Sequence, residues 1–145
     1  MNTRAYSEAT VVPSNLPGAV TSVVPAVGRL MISTLFLLAG LSKVTAPAAT
    51  IGYIQSVGLP LPSVAFALAA FTELVGGTLL LLGYRTRIVA GLLFVFTLAT
   101  AAFFHNHLGD QNQFIHFFKN VAIAGGLLNV MAFGGGRVSL DARRA

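Results

Sequence analysis

The chain has 145 residues, of which 55% are apolar and only 9% are charged, and its formal net charge is +5. Soluble domains carry about a quarter charged residues, so this composition cannot coat a soluble fold and indicates an outer surface that faces lipid. The sequence contains no cysteine, which excludes a thiolate nucleophile, a disulfide and a cysteine-bound iron–sulfur or zinc site.

The first apolar run covers residues 23–44 and follows a polar arm. Residues 1–22 are mixed in polarity and broken by prolines, which is typical of a flexible N-terminal arm and unlike a signal peptide. The charged residues of the apolar run are Arg29 near its start and Lys43 near its end. We therefore expect the first membrane-spanning helix over this run.

The second apolar run covers residues 63–84 and carries Glu73 near its middle. The connection before it, residues 45–62, begins and ends with helix-breaking prolines. Apolar side chains recur at helical spacing between those prolines, which predicts a short amphipathic helix at the membrane interface.

The third run, residues 88–104, is uncharged, and a polar loop over residues 105–114 connects it to the fourth run, residues 115–133. The fourth run carries a lysine and an asparagine near its start, and three glycines follow its end. Residues 135–145 then form a basic C-terminal tail.

All four runs have the length and composition of transmembrane helices. Each has about 17–22 residues, enough to cross a hydrocarbon core of about 30 Å at about 1.5 Å per residue. Spanning strands would need only about ten residues and would alternate polar and apolar side chains. The sequence thus predicts an all-α polytopic membrane protein, a four-transmembrane-helix bundle over residues 23–134 in contact with the lipid bilayer, with a short interfacial segment between helices 1 and 2.

The basic residues are divided unevenly between the two sides of this predicted bundle. Seven lie on the side that holds both termini and the connection between the second and third spans, and only Lys43 and Lys119 lie on the other. Because cytoplasmic loops carry an excess of lysine and arginine, we predict a multi-pass protein of a bacterial-type inner membrane with both termini in the cytoplasm. The basic residues follow span ends rather than one continuous stripe, so we expect no nucleic-acid partner.

Helical spacing also predicts which face of each span points into the bundle. We expect polar or small residues at steps of three and four to face inward, since small residues let helices approach closely in lipid. The same small residues would also allow the protein to form homo-oligomers. These stripes are Arg29, Ser33, Phe36, Gly40 and Lys43 on the first span, Ala69, Glu73, Gly76 and Gly77 on the second, Arg87, Gly91, Phe94, Leu98, Ala101 and His105 on the third, and Lys119, Ala122, Gly126 and Asn129 on the fourth.

Glu73 is the sharpest functional signal in the sequence. A bare carboxylate in the middle of a span costs at least a few kcal/mol, so it must be protonated, paired or in contact with a wet cavity. Arg29 lies about one turn inside the membrane boundary, and we predict that it forms a buried polar pair with Glu73. The pair either handles protons or ligand, or fixes the register of two helices, and the residues leave both readings open.

A second group of polar residues is predicted at the opposite membrane surface. We expect a mouth for an anionic or quinone-like ligand there, formed by Lys43, His105, Lys119 and Asn120. The alternative is that the two lysines only anchor helix ends by extending toward water. The histidines around the third loop could ligate a metal or relay protons, but their interfacial positions favour a plain polar role, and we expect no metal site.

Several short motifs, taken in order, resemble the DoxX family. They are Gly28-Arg29-Leu30 leading into Phe36-Leu37-Leu38-Ala39-Gly40-Leu41-Ser42-Lys43, then Leu59-Pro60, Glu73-Leu74-Val75-Gly76-Gly77, Leu82-Gly83, Arg87, Phe118-Lys119-Asn120 and Gly125-Gly126. The resemblance covers about Gly28 to Gly134. It implies a four-helix membrane protein, and it carries over the positions Arg29, Lys43, Glu73, Arg87, Lys119 and Asn120.

The resemblance also implies a class of function. DoxX-like proteins are small membrane subunits associated with thiosulfate:quinone or terminal quinol oxidase systems, and other members are linked to oxidative-stress complexes or to resistance against quinone-like compounds. We therefore expect a small integral membrane subunit of a quinone-linked redox or oxidative-stress system. No redox cofactor is visible in the sequence, so a bound quinone or a partner subunit of a redox complex would carry the electrons.

A non-enzymatic membrane scaffold or a small-solute carrier is the alternative function. The sequence identifies no catalytic residue, and whether the chain is an enzyme stays open at this point. A carrier would lose solute flux on Glu73→Gln substitution, whereas a scaffold would keep its partner.

Overall fold

Five α-helices and one 3₁₀ turn make up residues 18–144, the part of the chain that the computed structural model describes. The elements in order are α1 (Gly18–Thr45), α2 (Pro47–Ser56), α3 (Pro62–Leu82), α4 (Thr86–Phe104), α5 (Gln111–Phe133) and the 3₁₀ turn Asp141–Arg143. No strand occurs among these residues.

Helices α1, α3, α4 and α5 are long and apolar enough to cross a membrane, over stretches of 19 to 26 residues. Large apolar side chains cover their outer surfaces, and Met31, Phe71 and Leu92 are each more than 60% exposed. In water such a surface would be unstable, but lipid solvates it, because the backbone polar groups are already bonded within the helices. The chain is therefore an all-α four-helix membrane bundle, as predicted.

Local sequence explains where most helices begin and end. Pro47 and Pro62 open α2 and α3, where a missing N–H costs nothing. Gly83 ends α3 at a φ of 68°, a left-handed conformation that favours glycine. Asp110 caps α5 by accepting a hydrogen bond from the Gln113 amide at 2.9 Å.

Helix α1 begins inside the segment that was predicted as an N-terminal arm, residues 1–22. Residues 1–17 lie outside the described residues, and α1 already begins at Gly18 rather than after residue 22. The hydroxyls of Thr21 and Ser22 donate to the Gly18 carbonyl at 3.1 and 2.7 Å, which supports this first turn. Helix α1 continues through Pro25.

The bundle is built from two helix pairs. Helix α1 packs mainly against α3 and α4 against α5, while contacts between α3 and α4 connect the pairs. The buried core consists of Phe36, Leu80, Val89, Ala90, Leu93 and Leu127. Close approach of α1 and α3 depends on small residues: a Cβ added at Gly40 would lie only 2.8 Å from Cγ of Leu74.

The predicted inward stripes are confirmed on α1 and largely on α3, where Ala69 and Gly76 are only half-buried. On α4 only Ala101 of the predicted stripe is buried, and on α5 the stripe is wrong. Arg29, Ser33, Phe36 and Gly40 are buried on α1, as are Glu73 and Gly77 on α3. On α4 the buried face is Thr86, Val89, Ala90, Leu93, Thr97 and Ala101, and on α5 it is centred on Ala124 and Leu127. The predicted stripes on α4 and α5 started from Arg87 and Lys119, which are exposed at the bundle ends, so the stripes drawn through them point away from the core.

The segment after α5 folds back onto one end of the bundle, which we call the arginine end because Arg29, Arg85, Arg87, Arg137, Arg143 and Arg144 lie there. The Asp141 carboxylate accepts hydrogen bonds from the backbone amides of Arg85 at 2.7 Å and Thr86 at 2.8 Å, and from the Thr86 hydroxyl at 2.6 Å. The Leu140 amide donates to the Leu82 carbonyl at 3.1 Å. Residues 135–144 of the predicted basic tail are thus packed against the helix ends.

These bonds also govern the charge of Asp141. Burial would raise the pKa of its carboxyl, but the hydrogen bonds from Thr86 and Arg85, together with the nearby Arg85 charge, outweigh burial and leave the pKa below its usual value. An ionised carboxylate at the first turn of α4 is favourable because it accepts the free amides of a helix N-terminus.

Candidate ligand-binding site

A cavity of about 700 Å³ lies between α1, α2, α3 and α4 at the end of the bundle opposite the arginines. Its walls are mostly apolar and aromatic, and the short helix α2 forms one side of it. The polar side chains on its walls are Ser42, Lys43, Thr50, Tyr53, Thr72, Glu73, Thr100 and His105. An apolar cavity of a few hundred Å³ with a few convergent polar groups is the usual form of a small-molecule site.

An ion pair lies on the wall of this cavity. Nζ of Lys43, in the last turn of α1, donates to Oε1 of Glu73, in the middle of α3, at 2.8 Å. The Glu73 side chain is only 6% exposed, whereas the Lys43 side chain is 26% exposed. Gly40 makes the pair possible, since a Cβ there would lie 3.1 Å from Cβ of Glu73.

The predicted pairing of Glu73 with Arg29 is wrong. Arg29 lies beside Gly83 at the arginine end, where its Nη2 donates to the Val138 carbonyl at 2.6 Å. Gly40 is the α1 residue level with Glu73, and it follows Arg29 by eleven residues, or about 16 Å of helix, which is beyond the reach of an arginine side chain.

One carboxylate oxygen of Glu73 has no partner. Oε2 is buried and accepts no hydrogen bond from any described residue, while Oε1 is occupied by Lys43. A buried charged acceptor without a donor costs more than a neutral one, so Oε2 is an energetic cost that the described residues leave uncompensated. The ammonium of Lys43 carries further N–H donors on its exposed side.

The structure brings two of the four predicted mouth residues to the cavity, and ligand binding by them stays a prediction. Lys43 and His105 line the cavity, but Lys119 and Asn120 do not. Helix α5 packs against α4, and Asn120 donates to the His116 carbonyl on its own helix at 3.2 Å. The sequence did not give the rotational position of α5, which keeps Lys119 and Asn120 off the cavity wall.

Histidines meet at the edge of the cavity without forming a metal site. The rings of His105 and His116 stack with centroids 5.0 Å apart, and Nδ1 of His105 is 2.8 Å from Oε1 of Gln113. Among residues 18–144, no group of three or more His, Asp or Glu side chains is placed to hold a metal ion.

Several cavity residues were missed by sequence reasoning. Tyr53 on α2 contacts Phe104 on α4, with ring centroids 5.5 Å apart and a 3.4 Å hydrogen bond from its hydroxyl to the Phe104 carbonyl. This contact holds α2 over the cavity. Tyr53 could have been found as the polar-tipped aromatic of the interfacial segment, whereas Thr72 and Thr100 are small uncharged residues within long spans and give no comparable signal.

Two family sequence models match the chain over more than half its length. The DoxX model matches residues 24–106, and the SURF4 family model matches residues 68–145. The overlap lies in the third and fourth of the five helices.

Known proteins of similar length match as well. The chain is 34% identical to the inner membrane protein YphA of Escherichia coli (strain K12) over 131 residues, which covers 87% of this chain and 94% of that protein. It is 35% identical to the inner membrane protein YqjF of the same organism over 115 residues, covering 79% and 87%.

A shorter match concerns a Bacillus subtilis (strain 168) protein named "Putative oxidoreductase CatD", which is 42% identical over 73 residues, covering 50% of this chain and 52% of that protein. No solved structure is significantly similar to the chain. The length of the DoxX match and the near-complete alignment with YphA confirm the family resemblance seen in the motifs. The chain belongs to the DoxX family of membrane proteins.

Proposed function

We propose that the protein is a small integral membrane subunit of a quinone-linked redox or oxidative-stress system and that it binds a quinone head group in the cavity between α1 and α4. The observation that carries the proposal is the Lys43–Glu73 ion pair on the wall of an otherwise apolar cavity of about 700 Å³. The oxidoreductase name of CatD supports a redox role.

The cavity residues fit the chemistry of a quinone. A quinone is a flat apolar ring with carbonyl acceptors, so it needs aromatic walls and a hydrogen-bond donor. Phe103, Phe104 and Tyr53 supply aromatic surface, and Lys43 supplies the donor. When bound, the quinone would supply a two-electron, two-proton couple, and the side chains around it would orient the ring and hold a proton at the Glu73 carboxyl group.

The same proposal includes location and orientation. YphA and YqjF are named as inner membrane proteins, and we place this chain in the same kind of membrane. The arginine end holds both described chain ends, and the positive-inside rule assigns it to the cytoplasm. The cavity then lies toward the periplasmic side, and a partner subunit would deliver or receive the electrons.

Purification in a mild detergent followed by mass spectrometry of the extracted lipids tests the proposal. We expect a stoichiometric quinone with the native protein and its loss from the Lys43→Met variant, which removes the donor. Lys119→Met is the matched control, because Lys119 lies on α5 outside the cavity and should leave the quinone in place.

Two other outcomes would contradict the quinone-linked function. If no quinone accompanies the native protein and added decylbenzoquinone does not bind, the quinone-linked function is wrong. A stoichiometric partner protein that stays bound to both variants without quinone would instead identify a scaffold, and solute flux in liposomes would identify a carrier.

A further inference from the structure

A second groove, of about 480 Å³, lies at the arginine end of the bundle, where α4 begins and α5 ends. Its lining combines two arginines, Arg85 and Arg87, with two large apolar residues, Ile88 and Phe133. Ile88 is 60% exposed, and Phe133 is 80% exposed. Exposed cations beside exposed apolar side chains at a membrane boundary match the two parts of a phospholipid, a charged head group and hydrocarbon chains.

Arg87 brings an unpaired cation to this groove. It is exposed, and no residue within the described range 18–144 forms a hydrogen bond or an ion pair with its guanidinium. Its side chain lies beside Gly134, where a Cβ would be 3.3 Å from Nε of the arginine, so the glycine leaves room for it at the end of α5. A guanidinium presents a planar set of N–H donors that match the oxygens of a phosphate.

The other polar side chains of the groove are engaged within the chain. The Asp141 carboxylate accepts from the amides of Arg85 and Thr86 and from the Thr86 hydroxyl. The Ser139 hydroxyl donates to a backbone carbonyl three residues before it, at 2.6 Å. The Arg85 charge acts on the same Asp141 carboxylate, so these two opposite charges offset each other. With two arginines and one aspartate on its lining, the groove has a net charge of +1, which Arg87 supplies.

We propose that this groove binds one anionic glycerophospholipid of the surrounding bilayer, with its phosphate on Arg87 and an acyl chain along Phe133 and Ile88. A phosphate diester carries one negative charge, which complements the charge of the groove, and it accepts paired hydrogen bonds from a guanidinium. Basic pockets between membrane helices bind such head groups. A soluble phosphate would use the arginine alone and leave the apolar part of the groove without a partner, which favours the lipid.

Two lipids with identical acyl chains test the proposal by native mass spectrometry of the full chain in mild detergent. Dioleoyl phosphatidylglycerol is anionic and dioleoyl phosphatidylcholine is zwitterionic, so the comparison isolates the charge of the head group. We expect the first phosphatidylglycerol molecule to bind at least about fivefold more tightly than the first phosphatidylcholine molecule, the factor expected from one arginine at an anionic head group. This comparison on the native protein needs no variant.

The Arg87→Gln variant should abolish the preference, lowering the affinity for phosphatidylglycerol about fivefold and leaving that for phosphatidylcholine unchanged. Arg143→Gln is the matched control. Arg143 is also exposed at the arginine end but does not line the groove, so the same loss of one positive charge should leave the preference intact.

Three results would overturn this lipid site. Equal binding of the two lipids to the native protein would show that the groove does not select an anionic head group. An equal loss in both arginine variants would show that the total charge of this end attracts anionic lipid without a site at Arg87. Displacement of the lipid by an equal concentration of glycerol 3-phosphate would identify a soluble phosphate ligand. None of these results depends on what occupies the cavity at the opposite end.

Discussion

The two ends of the bundle differ in what surrounds their buried polar groups. At the arginine end the chain closes on itself, since Asp141 satisfies the first amides of α4 and the Val138 carbonyl accepts from Arg29. At the cavity end, the Lys43–Glu73 pair is left beside open space with one acceptor unused. The arginine end is closed by contacts within the chain, whereas the cavity end is open, and the proposed ligand would occupy it.

Unpaired buried polar atoms are also found away from the cavity. Nε and Nη1 of Arg29 and the hydroxyl of Ser33 also lack partners among the described residues. Neither residue lines the cavity of about 700 Å³, however, whereas Glu73 does. A position on the cavity wall, rather than burial alone, therefore distinguishes Glu73 from Arg29 and Ser33.

Breaking the ion pair should have the largest effect. Lys43→Met leaves the Glu73 carboxylate buried without a counter-charge, and we expect a loss of about 3 kcal/mol in the free energy of unfolding. The double variant Lys43→Met/Glu73→Met should recover at least half of that loss, because the buried charge is gone. Steric trapping in bicelles measures both, and a double variant as unstable as the single one would show that the charge is not the cause.

Separating α1 from α3 should come next. Gly40→Ala places a Cβ 2.8 Å from Cγ of Leu74 and should cost about 1–3 kcal/mol through overpacking, while also weakening ligand binding at the displaced pair. Gly125→Ala is the control, since a Cβ there meets nothing within 4 Å, and we expect it to be neutral or to stabilise by about 0.5–1 kcal/mol. Equal destabilisation by both variants would contradict the close α1–α3 contact.

Removing the cap at the arginine end should affect stability without affecting binding. Asp141→Ala frees the amides of Arg85 and Thr86, and we expect a loss of about 1–2 kcal/mol in unfolding free energy. The Kd for decylbenzoquinone should stay within about twofold of the native value, because the two ends are distant and share no partner. A large change in Kd would show that the ends are coupled after all.

The smallest effect should be the pH dependence of this cap. The folded-state pKa of Asp141 is below the ordinary aspartate value of 3.8, so its stabilisation is fully present above that value and is lost as the pH falls through the lower folded pKa. The stability difference between the native protein and Asp141→Asn should therefore be constant near neutral pH and shrink below pH 3.8. Unfolding measured in bicelles across this range checks the sign, and a difference that grows in acid would refute it.

Much of the fold could be predicted from the sequence, because each span is set by its own composition. Four apolar runs and the prolines around residues 45–62 were enough to place every helix that the structure describes between Gly18 and Phe133. The inward faces of α1 and α3 also followed from sequence, since their polar residues are deep and must avoid lipid. The faces of α4 and α5 did not, because Arg87 and Lys119 lie near bundle ends, where water is within reach in any rotation.

The partners of the polar residues were harder to predict. Glu73 was identified correctly as the central residue, but a carboxylate near mid-membrane can be approached from either end, and sequence alone does not give the vertical offset between α1 and α3. Gly40 sets that offset by letting Glu73 lie against α1. The cap on α4 could not be predicted from the sequence either, since Asp141 is separated from Arg85 by 56 positions and no local motif connects them.

That separation has a consequence for how the protein is made. The amides of Arg85 and Thr86 are synthesised 56 and 55 residues before Asp141, the residue that accepts their hydrogen bonds. At about 5–20 residues per second, synthesis of the residues between them takes roughly 3 to 11 s. Because Asp141 follows α5 in the chain, the cap can form only after all four spanning helices have been synthesised, and a chain cut short before Asp141 would leave the first amides of α4 without this acceptor.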